Sequence, residues 1–370
     1  MQFICKRKMT KKIIYIARND SKTYPGVKNK IEQTVFALKK IGFDAEMQEI
    51  APNPKHRSIV EFIKLVTKNS ADVLILRSDI LLMPLLMLPL LWKRLGGCKI
   101  IVDVPTPFTV VLQEIKSDTN VGRLKKVIRQ TFTILAFPWS LWPSNKVIQY
   151  AIESEYFSIG LKRKMQLMAN GIDVEKTPQR KKIPHWPAED FVLIGVASLA
   201  DWHAFDRVIK GIASYMKKSQ NSFTKPKFII VGDGAIRNQW EQLADDLGVR
   251  QQVIFVGYQT GIALGDLFEK AHVAVASLGL YRINLEVASV LKSREYAARG
   301  IPFVSSGQDI DFEPKPDFVF KIENNSVELD IEKVIRWYDE YLKRQKPFDD
   351  IRSFAKMKLD YSSKITSILT

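Results

Sequence analysis

Lys292 and Glu295 stand three residues apart in LKSREYAARGIPFV (291–304), where charged residues precede an apolar run. If Ser289 caps a helix here, both side chains lie on one face near its N-terminus. Backbone N–H groups and the helix dipole favour an anion at that end, and Lys292 adds a charge suited to a diphosphate. The Glu295 carboxylate can accept two hydrogen bonds from the hydroxyls of a ribose. The spacing therefore indicates a nucleotide diphosphate site, with an intrahelical Glu295–Arg299 ion pair as the simpler alternative.

A glycine turn in FIIVGDGAIRNQ (228–239) joins a strand-like segment to a helix-like one. Gly232 and Gly234 have the placement used by phosphate-binding loops. A dinucleotide fingerprint needs a third glycine where Arg237 stands, so the turn does not indicate a nicotinamide cofactor. The sequence also lacks the GxxxxGK[ST], HExxH and GxSxG motifs of nucleoside triphosphatases, zinc peptidases and hydrolases.

Metal chemistry has little support in the sequence. The segment DID (309–311) resembles the Asp-x-Asp of metal-dependent sugar transferases, but three residues match by chance often. Cys5 and Cys98 give neither a disulfide framework nor a metal-binding spacing, which fits a reducing cytosol. We therefore predict no metal site and no cofactor.

The net charge of +16 over 370 residues predicts attraction to polyanions or anionic lipid. Basic segments at 123–129 and 161–164 flank FTILAFPWSLWPS (132–144), which contains Trp139 and Trp142. Basic residues beside tryptophan are typical of a protein at a membrane interface, and a solvated basic face next to a buried helix is the alternative. We predict an anionic membrane surface as a partner and no nucleic acid.

Neither a signal peptide nor a membrane-spanning segment is expected. The basic start MQFICKRKMTKK is followed by only a short apolar stretch. The most hydrophobic run, ILLMPLLMLPLLW (80–92), has 13 residues including Pro84 and Pro89, short of the ~20 that cross a bilayer. The expected location is cytoplasmic, peripheral on the inner face of the plasma membrane.

Strand-like and helix-like segments alternate along the first half, which is typical of a parallel sheet with helices on both faces. The proline-bearing segment TPQRKKIPHWPAED (177–190) interrupts the pattern, which restarts at FVLIGVAS (191–198). We therefore predict an α/β fold of two Rossmann-like, doubly wound parallel-sheet domains facing a cleft, the natural ligand site. The predicted divisions are an N-terminal domain (1–170), a linker (171–190), a C-terminal domain (191–350) and a helix returning to the first domain (351–370).

Four segments, taken together, resemble GT-B glycosyltransferases of family 4, in the branch of bacterial surface-polysaccharide enzymes. The resemblance is strong over about 168–306 and weak before that. The segments are MANGIDV (168–174), DWHAFDRVIKGI (201–212), FIIVGDGAIRNQWEQLADDLGVRQQVIFVGY (228–258) and NLEVASVLKSREYAARGIPFV (284–304).

This resemblance implies a metal-independent, retaining hexosyltransferase of polysaccharide biosynthesis. The C-terminal domain would hold a UDP- or GDP-linked sugar donor, and the N-terminal domain would hold a glycan or lipid-linked glycan acceptor. Lys292 corresponds to the diphosphate-binding position and Glu295 to the ribose-binding carboxylate. The usual Glu-x7-Glu pattern has Val287 at its first position, so Glu286, one residue earlier, is the candidate for the donor sugar.

The resemblance also departs from the family after the first strand of the C-terminal domain. His203 stands near the usual Lys, and Ala197 or Ser198 near the usual Arg. Arg207 is therefore predicted to supply the missing charge, with Lys292 and His203, as the diphosphate leaves. Asp103, at the end of a strand in VDVPTPF (102–108), is the candidate base or acceptor-binding residue.

Two other functions fit parts of the sequence. A nucleotide-sugar epimerase of the same fold would need further acid and base carboxylates, which we cannot identify. A non-catalytic sugar- or lipid-binding protein would result if the departures at Ala197 and Val287 leave the donor pocket with too few polar partners.

Overall fold

The chain folds into two compact units, described by a computed structural model. Unit 1 comprises Met1–Met168 and Tyr361–Thr370, and unit 2 comprises Ala169–Asp360. Most of the basic start of the chain lies outside the described residues. The structure describes residues 11–20, 25–53, 55–79, 82–117, 121–150, 152, 155–219, 222–344 and 347–369.

Unit 1 is built on a six-stranded sheet in which every described pairing is parallel. Its strands are β1 (Lys12–Arg18), β2 (Asp44–Ile50), β3 (Val73–Arg77), β4 (Lys99–Val104), β5 (Lys146–Gln149) and β6 (Met165–Leu167). Its helices are α1 (Pro25–Lys40), α2 (Lys55–Lys68), α3 (Met83–Leu95), α4 (Phe108–Ser117), α5 (Arg123–Ser140) and α6 (Glu155–Ser158). The strand order is β2-β1-β3-β4-β5-β6.

The central strands of unit 1 are apolar because helices cover both faces of the sheet. Phe62 on α2 and Phe137 on α5 are buried with one face of the strands. Ile31 and Val35 on α1 are buried with the other face. The continuous apolar run in β1, Ile13 to Ala17, is fully buried as this arrangement requires.

Unit 2 is a second six-stranded sheet in which every described pairing is again parallel. Its strands are β7 (Asp190–Val196), β8 (Lys225–Val231), β9 (Val253–Gly257), β10 (Val273–Val275), β11 (Phe303–Ser306) and β12 (Val319–Ile322). Its helices are α7 (Asp206–Lys218), α8 (Arg237–Asp246), α9 (Gly261–Lys270), α10 (Leu291–Arg299), α11 (Ile331–Leu342) and α12 (Pro347–Phe354). The strand order β12-β11-β10-β7-β8-β9 reverses its direction of progression between β7 and β10.

The segment 171–190, predicted as a linker, lies within unit 2. Arg180 Nη1 donates to the carbonyl oxygen of Ala271 over 2.7 Å, and the amide nitrogens of Lys181 and Lys182 bind the Glu269 carboxylate. The polar groups of this segment bind the C-terminal end of α9. The amino-acid composition of a polar segment is the same whether it binds another part of the protein or faces water, so the sequence could not predict this contact.

The end of the chain crosses from unit 2 to unit 1. Ile351, Ala355 and Leu359 are buried in the core of unit 2, so this stretch does not leave at 351 as predicted. The last helix, α13 (Tyr361–Leu369), belongs to unit 1, where Ile365 is buried against the α1 side of the sheet.

Candidate active site

Three side chains converge where the strand order of unit 2 reverses. Ligands of doubly wound sheets bind beyond the carboxyl ends of the strands at such a point. His203 lies in the 3₁₀ turn after β7, Ser277 follows β10, and Lys292 is in the first turn of α10. His203 Nδ1 is 3.0 Å from Ser277 Oγ and 2.8 Å from Lys292 Nζ. The fold thus brings together two residues that the sequence predicted separately, His203 and Lys292.

Lys292 is a partly buried amine that pairs with no carboxylate among the described residues. Its Nζ lies 5.7 Å from the ring centroid of Trp202 and 5.4 Å from that of Phe205. The ion pairs that α10 makes in the described part of the chain belong to Arg294 and Arg299. Burial without a counter-charge lowers the pKa of Lys292 well below its usual value. An anionic ligand here would restore the charged form of the lysine.

His203 is held as a neutral imidazole. Its Nε2 is 3.0 Å from the carbonyl oxygen of Ser198, which can only accept, so Nε2 carries the hydrogen and Nδ1 accepts from Lys292. Burial, and then the neighbouring Lys292, lower the pKa of His203 to about 2. His203 therefore orients Lys292 and contributes no second positive charge, in contrast to the prediction.

Arg207 serves the fold instead of a diphosphate. The side chain is buried, and Nη1 donates to the carbonyl oxygen of Leu278 over 2.6 Å. Nε donates to the carbonyl oxygen of Val327 over 2.5 Å, and Nη2 is 3.2 Å from that of Glu323. The guanidinium thus links the loop after β10 to the loop after β12, in contrast to the predicted role. The sequence could not reveal these contacts because they join residues far apart in the chain.

Glu295 forms the ion pair weighed against its ribose-binding role. Arg299 Nε donates to Glu295 Oε1 over 2.9 Å, and Nη2 lies 2.8 Å from the same oxygen. Glu295 Oε2 makes no hydrogen bond within the described part of the chain, and the side chain is 31% exposed. The ion pair therefore leaves one carboxylate oxygen for a ligand hydroxyl, and the ribose role stays a prediction.

The loop before α10 holds Glu286 and Val287 in opposite environments. Val287 is buried and forms a bridge with Gln308, whereas Glu286 is exposed. The carbonyl oxygen of Glu286 accepts from the amide nitrogen of Gln308 over 2.8 Å. The position where the family pattern has a carboxylate is thus a core position in this chain, and Glu286 remains the accessible candidate.

Ser289 does not cap α10. The residue before the helix is Val290, which makes no side-chain cap. Ser289 Oγ instead accepts from the amide nitrogen of Asn170 over 2.5 Å, and its carbonyl oxygen accepts from Asn170 Nδ2 over 2.7 Å. Asn170 is a residue for which sequence reasoning found no role, although it lies in the MANGIDV segment. It anchors the start of the helix that carries Lys292.

Arg294 occupies both carboxylates of the DID segment. Its Nη2 is 2.7 Å from Asp309 Oδ1 and 2.9 Å from Asp311 Oδ2, and Nη1 also contacts Asp309. Arg294 is completely buried. These carboxylates stabilise a cation of the protein itself, and no group of metal-ligating side chains occurs among the described residues.

Gly232 and Gly234 allow the loops after β7 and β8 to pack closely against each other. Gly232 has φ +122°, and a Cβ there would lie 1.8 Å from the carbonyl oxygen of Ala197. At Gly234 a Cβ would lie 2.3 Å from the carbonyl oxygen of Leu199. The glycines are therefore required by packing between the loops after β7 and β8. Their contact with phosphate stays a prediction.

Asp103 lies in unit 1, in a buried polar cluster. It accepts a hydrogen bond from Tyr15, and its Oδ2 is 3.9 Å from Lys30 Nζ and 3.8 Å from Arg77 Nη1. Asp103 is 2% exposed. This carboxylate balances two cations inside unit 1, and its predicted contact with acceptor stays a prediction.

The comparison with protein families matches the part of the chain that forms this site. Residues 176–307 match the family model of glycosyl transferases group 1. The matched range contains His203, Ser277 and Lys292. This part of unit 2 is similar to the group 1 glycosyl transferases. The predicted resemblance to that family is thereby confirmed.

A curated relative supports the group 1 domain. The lipopolysaccharide core biosynthesis glycosyltransferase LpsD of Rhizobium meliloti (strain 1021) is 31% identical to this chain over 115 residues. The match covers 30% of this chain and 31% of LpsD. The chain thus matches about a third of that relative's length.

Solved structures resemble the chain over almost its full length. The apo form of the lipopolysaccharide outer core galactosyltransferase WaaB has a TM-score of 0.61 at 15% identity, covering 97% of this chain and 99% of that one. A glycosyltransferase from Rickettsia africae ESF-5 has a TM-score of 0.63 at 12% identity, covering 98% and 97%. Anabaena HepE in complex with UDP has a TM-score of 0.58 at 11% identity, covering 97% and 98%. These likenesses confirm the predicted GT-B α/β fold with two parallel sheets.

Proposed function

We propose that this chain transfers a hexosyl group from a UDP- or GDP-linked sugar to a glycan or lipid-linked glycan during surface-polysaccharide synthesis. The observation that carries the proposal is the amine of Lys292, which has no carboxylate partner in the part of the chain that the structure describes. It lies at the start of α10, beside the strand reversal of unit 2. HepE, which shares the fold, was solved with UDP and with UDP-glucose. LpsD and WaaB are described as lipopolysaccharide enzymes, which supports this acceptor class. The proposed location is cytoplasmic and peripheral to the membrane.

The chemistry assigned to the site is stabilisation of a leaving diphosphate. Negative charge builds on the diphosphate as the bond to the sugar breaks, and preorganised donors lower the energy of that state. Lys292 Nζ and the N-terminal N–H groups of α10 supply those donors. His203, anchored by Ser198 and Ser277, fixes the direction of the lysine. This scheme requires no metal ion, and retention of configuration is carried over from the family resemblance.

Nucleotide release from a panel of nucleotide sugars tests the proposal. We expect one UDP- or GDP-linked donor to yield free nucleotide with the chain, and faster when the right glycan acceptor is present. An epimerase would convert the donor sugar without releasing nucleotide, and a binding protein would bind nucleotide without turnover. Either result would overturn the proposed transfer.

Replacing Glu295 with Gln tests the ribose contact. Hydrogen bonds to a charged group contribute about 1.5–3 kcal/mol, so we expect at least roughly tenfold weaker nucleotide binding. UDP or GDP alone should lose as much affinity as the complete donor, because the contact is to ribose. Isothermal titration calorimetry measures both.

Glu332→Gln is the matched control for this change. Glu332 also pairs with an arginine four residues later, Arg336, at 3.6 Å on the exposed side of α11. The Glu332→Gln variant should lose only a few tenths of a kcal/mol of stability and no nucleotide affinity. If Glu295→Gln behaves like this control, Glu295 serves only its ion pair with Arg299.

A further inference from the structure

Two neighbouring helices of unit 1 present large apolar side chains to solvent. On α3, Leu88 is 70% exposed and Leu95 is 79% exposed, and on α5, Leu135 is 65% exposed. Soluble monomers rarely expose contiguous apolar patches of this kind unless they bind something. Fourteen of the 29 exposed large hydrophobic side chains among the described residues lie on α3, on α5 or just after α5: Leu85, Met87, Leu88, Leu91, Trp92, Leu95, Leu124, Val127, Ile128, Phe132, Ile134, Leu135, Trp139 and Trp142.

These side chains belong to one surface because the two helices pack against each other. Arg94 Nη1, at the end of α3, is 3.2 Å from the carbonyl oxygen of Pro143, just after α5. The inward residues Leu90 of α3 and Phe137 of α5 share the core beneath them. The outward residues listed above therefore form the α3–α5 surface, on one face of unit 1.

The charged residues of the two helices that form this surface are all basic. Neither α3 nor α5 contains Asp or Glu, and the whole segment 121–149 contains none. Arg123 and Lys125 are exposed on the first turn of α5. At the other end of the surface, Asp72 of unit 1 lines a pocket with Trp92 and Lys93. The three exposed tryptophans add amphipathic rings of the kind found at the head-group level of membranes.

We propose that the α3–α5 surface docks onto an anionic lipid bilayer, with its apolar side chains in the head-group region and its basic side chains at the phosphates. Charge complementarity selects this occupant, because a second copy of the chain would place cation against cation. The described helices include none long and apolar enough to pass through a bilayer, so the contact is at the interface. Lipid binding by unit 1 does not depend on the donor chemistry proposed for unit 2.

Vesicle co-sedimentation of the full chain tests the docking. We expect binding to phosphatidylcholine vesicles that contain 30% phosphatidylglycerol, weaker binding to pure phosphatidylcholine, and a decrease as salt screens the charges. Arg123→Gln with Lys125→Gln removes two surface charges, each worth about 1 kcal/mol at such a membrane, so partitioning should drop roughly 30-fold. Lys217→Gln with Lys218→Gln, an exposed pair in unit 2, makes the same charge change and should leave partitioning within about twofold.

A second pair of variants separates the apolar contribution. Leu88→Gln with Leu135→Gln should strongly reduce sedimentation with anionic vesicles, whereas Ile262→Gln, at an 85% exposed position of unit 2, should retain it. Circular dichroism checks that every variant is folded. Absence of wild-type binding to anionic vesicles overturns the proposal. So does equal binding by the Leu88/Leu135 and Ile262 variants, or a stable dimer in ultracentrifugation that the Leu88/Leu135 variant breaks.

Discussion

Lys292→Met is expected to weaken UDP or GDP binding by about tenfold to a hundredfold without lowering the stability of the fold. The loss follows from removing a charge-assisted contact to the diphosphate, worth about 1.5–3 kcal/mol. Stability should hold, because burial already disfavours the charged lysine, as its lowered pKa shows. Lys218→Met, at an exposed position, is the control for loss of one charge. Equal nucleotide affinity of the two variants would exclude Lys292 from the donor site.

The pH dependence of this variant gives a second test. The folded-state pKa of Lys292 is lowered, so the unfolded chain binds the proton more readily than the folded one. The loss of folding stability caused by protonation of Lys292 is absent above the unfolded pKa of about 10.4. It grows as the pH falls toward the lowered pKa of the folded state. Wild-type stability should therefore rise with pH across that window more steeply than that of Lys292→Met. Thermal unfolding at several pH values measures the difference.

Nucleotide binding should also take up protons in the wild type. A diphosphate next to Lys292 raises the pKa of the amine, and at a pH between the free and bound values the lysine gains a proton. Calorimetry in buffers of different ionisation enthalpy reports this uptake. Lys292→Met should show none, and uptake of the same size in the variant would place the titrating group elsewhere.

The fold could be predicted because each buried strand is indicated by residues that are adjacent in the sequence. Continuous apolar runs such as that of β1 have no polar alternation, which indicates strands covered on both faces. The restart of the pattern at FVLIGVAS marked the second sheet for the same reason. The limits of each unit were less predictable, since a polar segment such as 171–190 has the same composition whether it faces water or binds Glu269.

Only the part of the site that lies on one helix could be predicted from residue spacing. Lys292 and Glu295 were predicted to share one face of a helix, because residues three or four apart are neighbours on a helix. The structure places both in α10, which begins at Leu291. Partners distant in the chain were missed. Ser289 binds Asn170 instead of capping the helix, and Arg207 binds carbonyl groups instead of a ligand. A charged residue in a motif looks the same in the sequence whether it binds a ligand or stabilises the fold. Only its tertiary contacts distinguish the two roles.

Arg294→Met is expected to destabilise unit 2 by about 3–5 kcal/mol, because it leaves the carboxylates of Asp309 and Asp311 without their buried counter-charge. For a unit of this size the unfolding temperature should fall by roughly 6–20 °C. Arg294 Nε also donates to the carbonyl oxygen of Asn170 over 3.0 Å, so the start of α10 loses an anchor as well. Differential scanning calorimetry measures the shift.

Two further variants separate the buried charges from loss of packing. Arg336→Met removes an arginine from an ion pair whose two side chains are both about 60% exposed, and should change stability by less than about 1 kcal/mol. Adding Asp309→Asn and Asp311→Asn to Arg294→Met removes the unpaired charges and should recover part of the lost stability. If the triple variant is as unstable as Arg294→Met or more so, lost packing and hydrogen bonding around the guanidinium, not charge compensation, account for the defect.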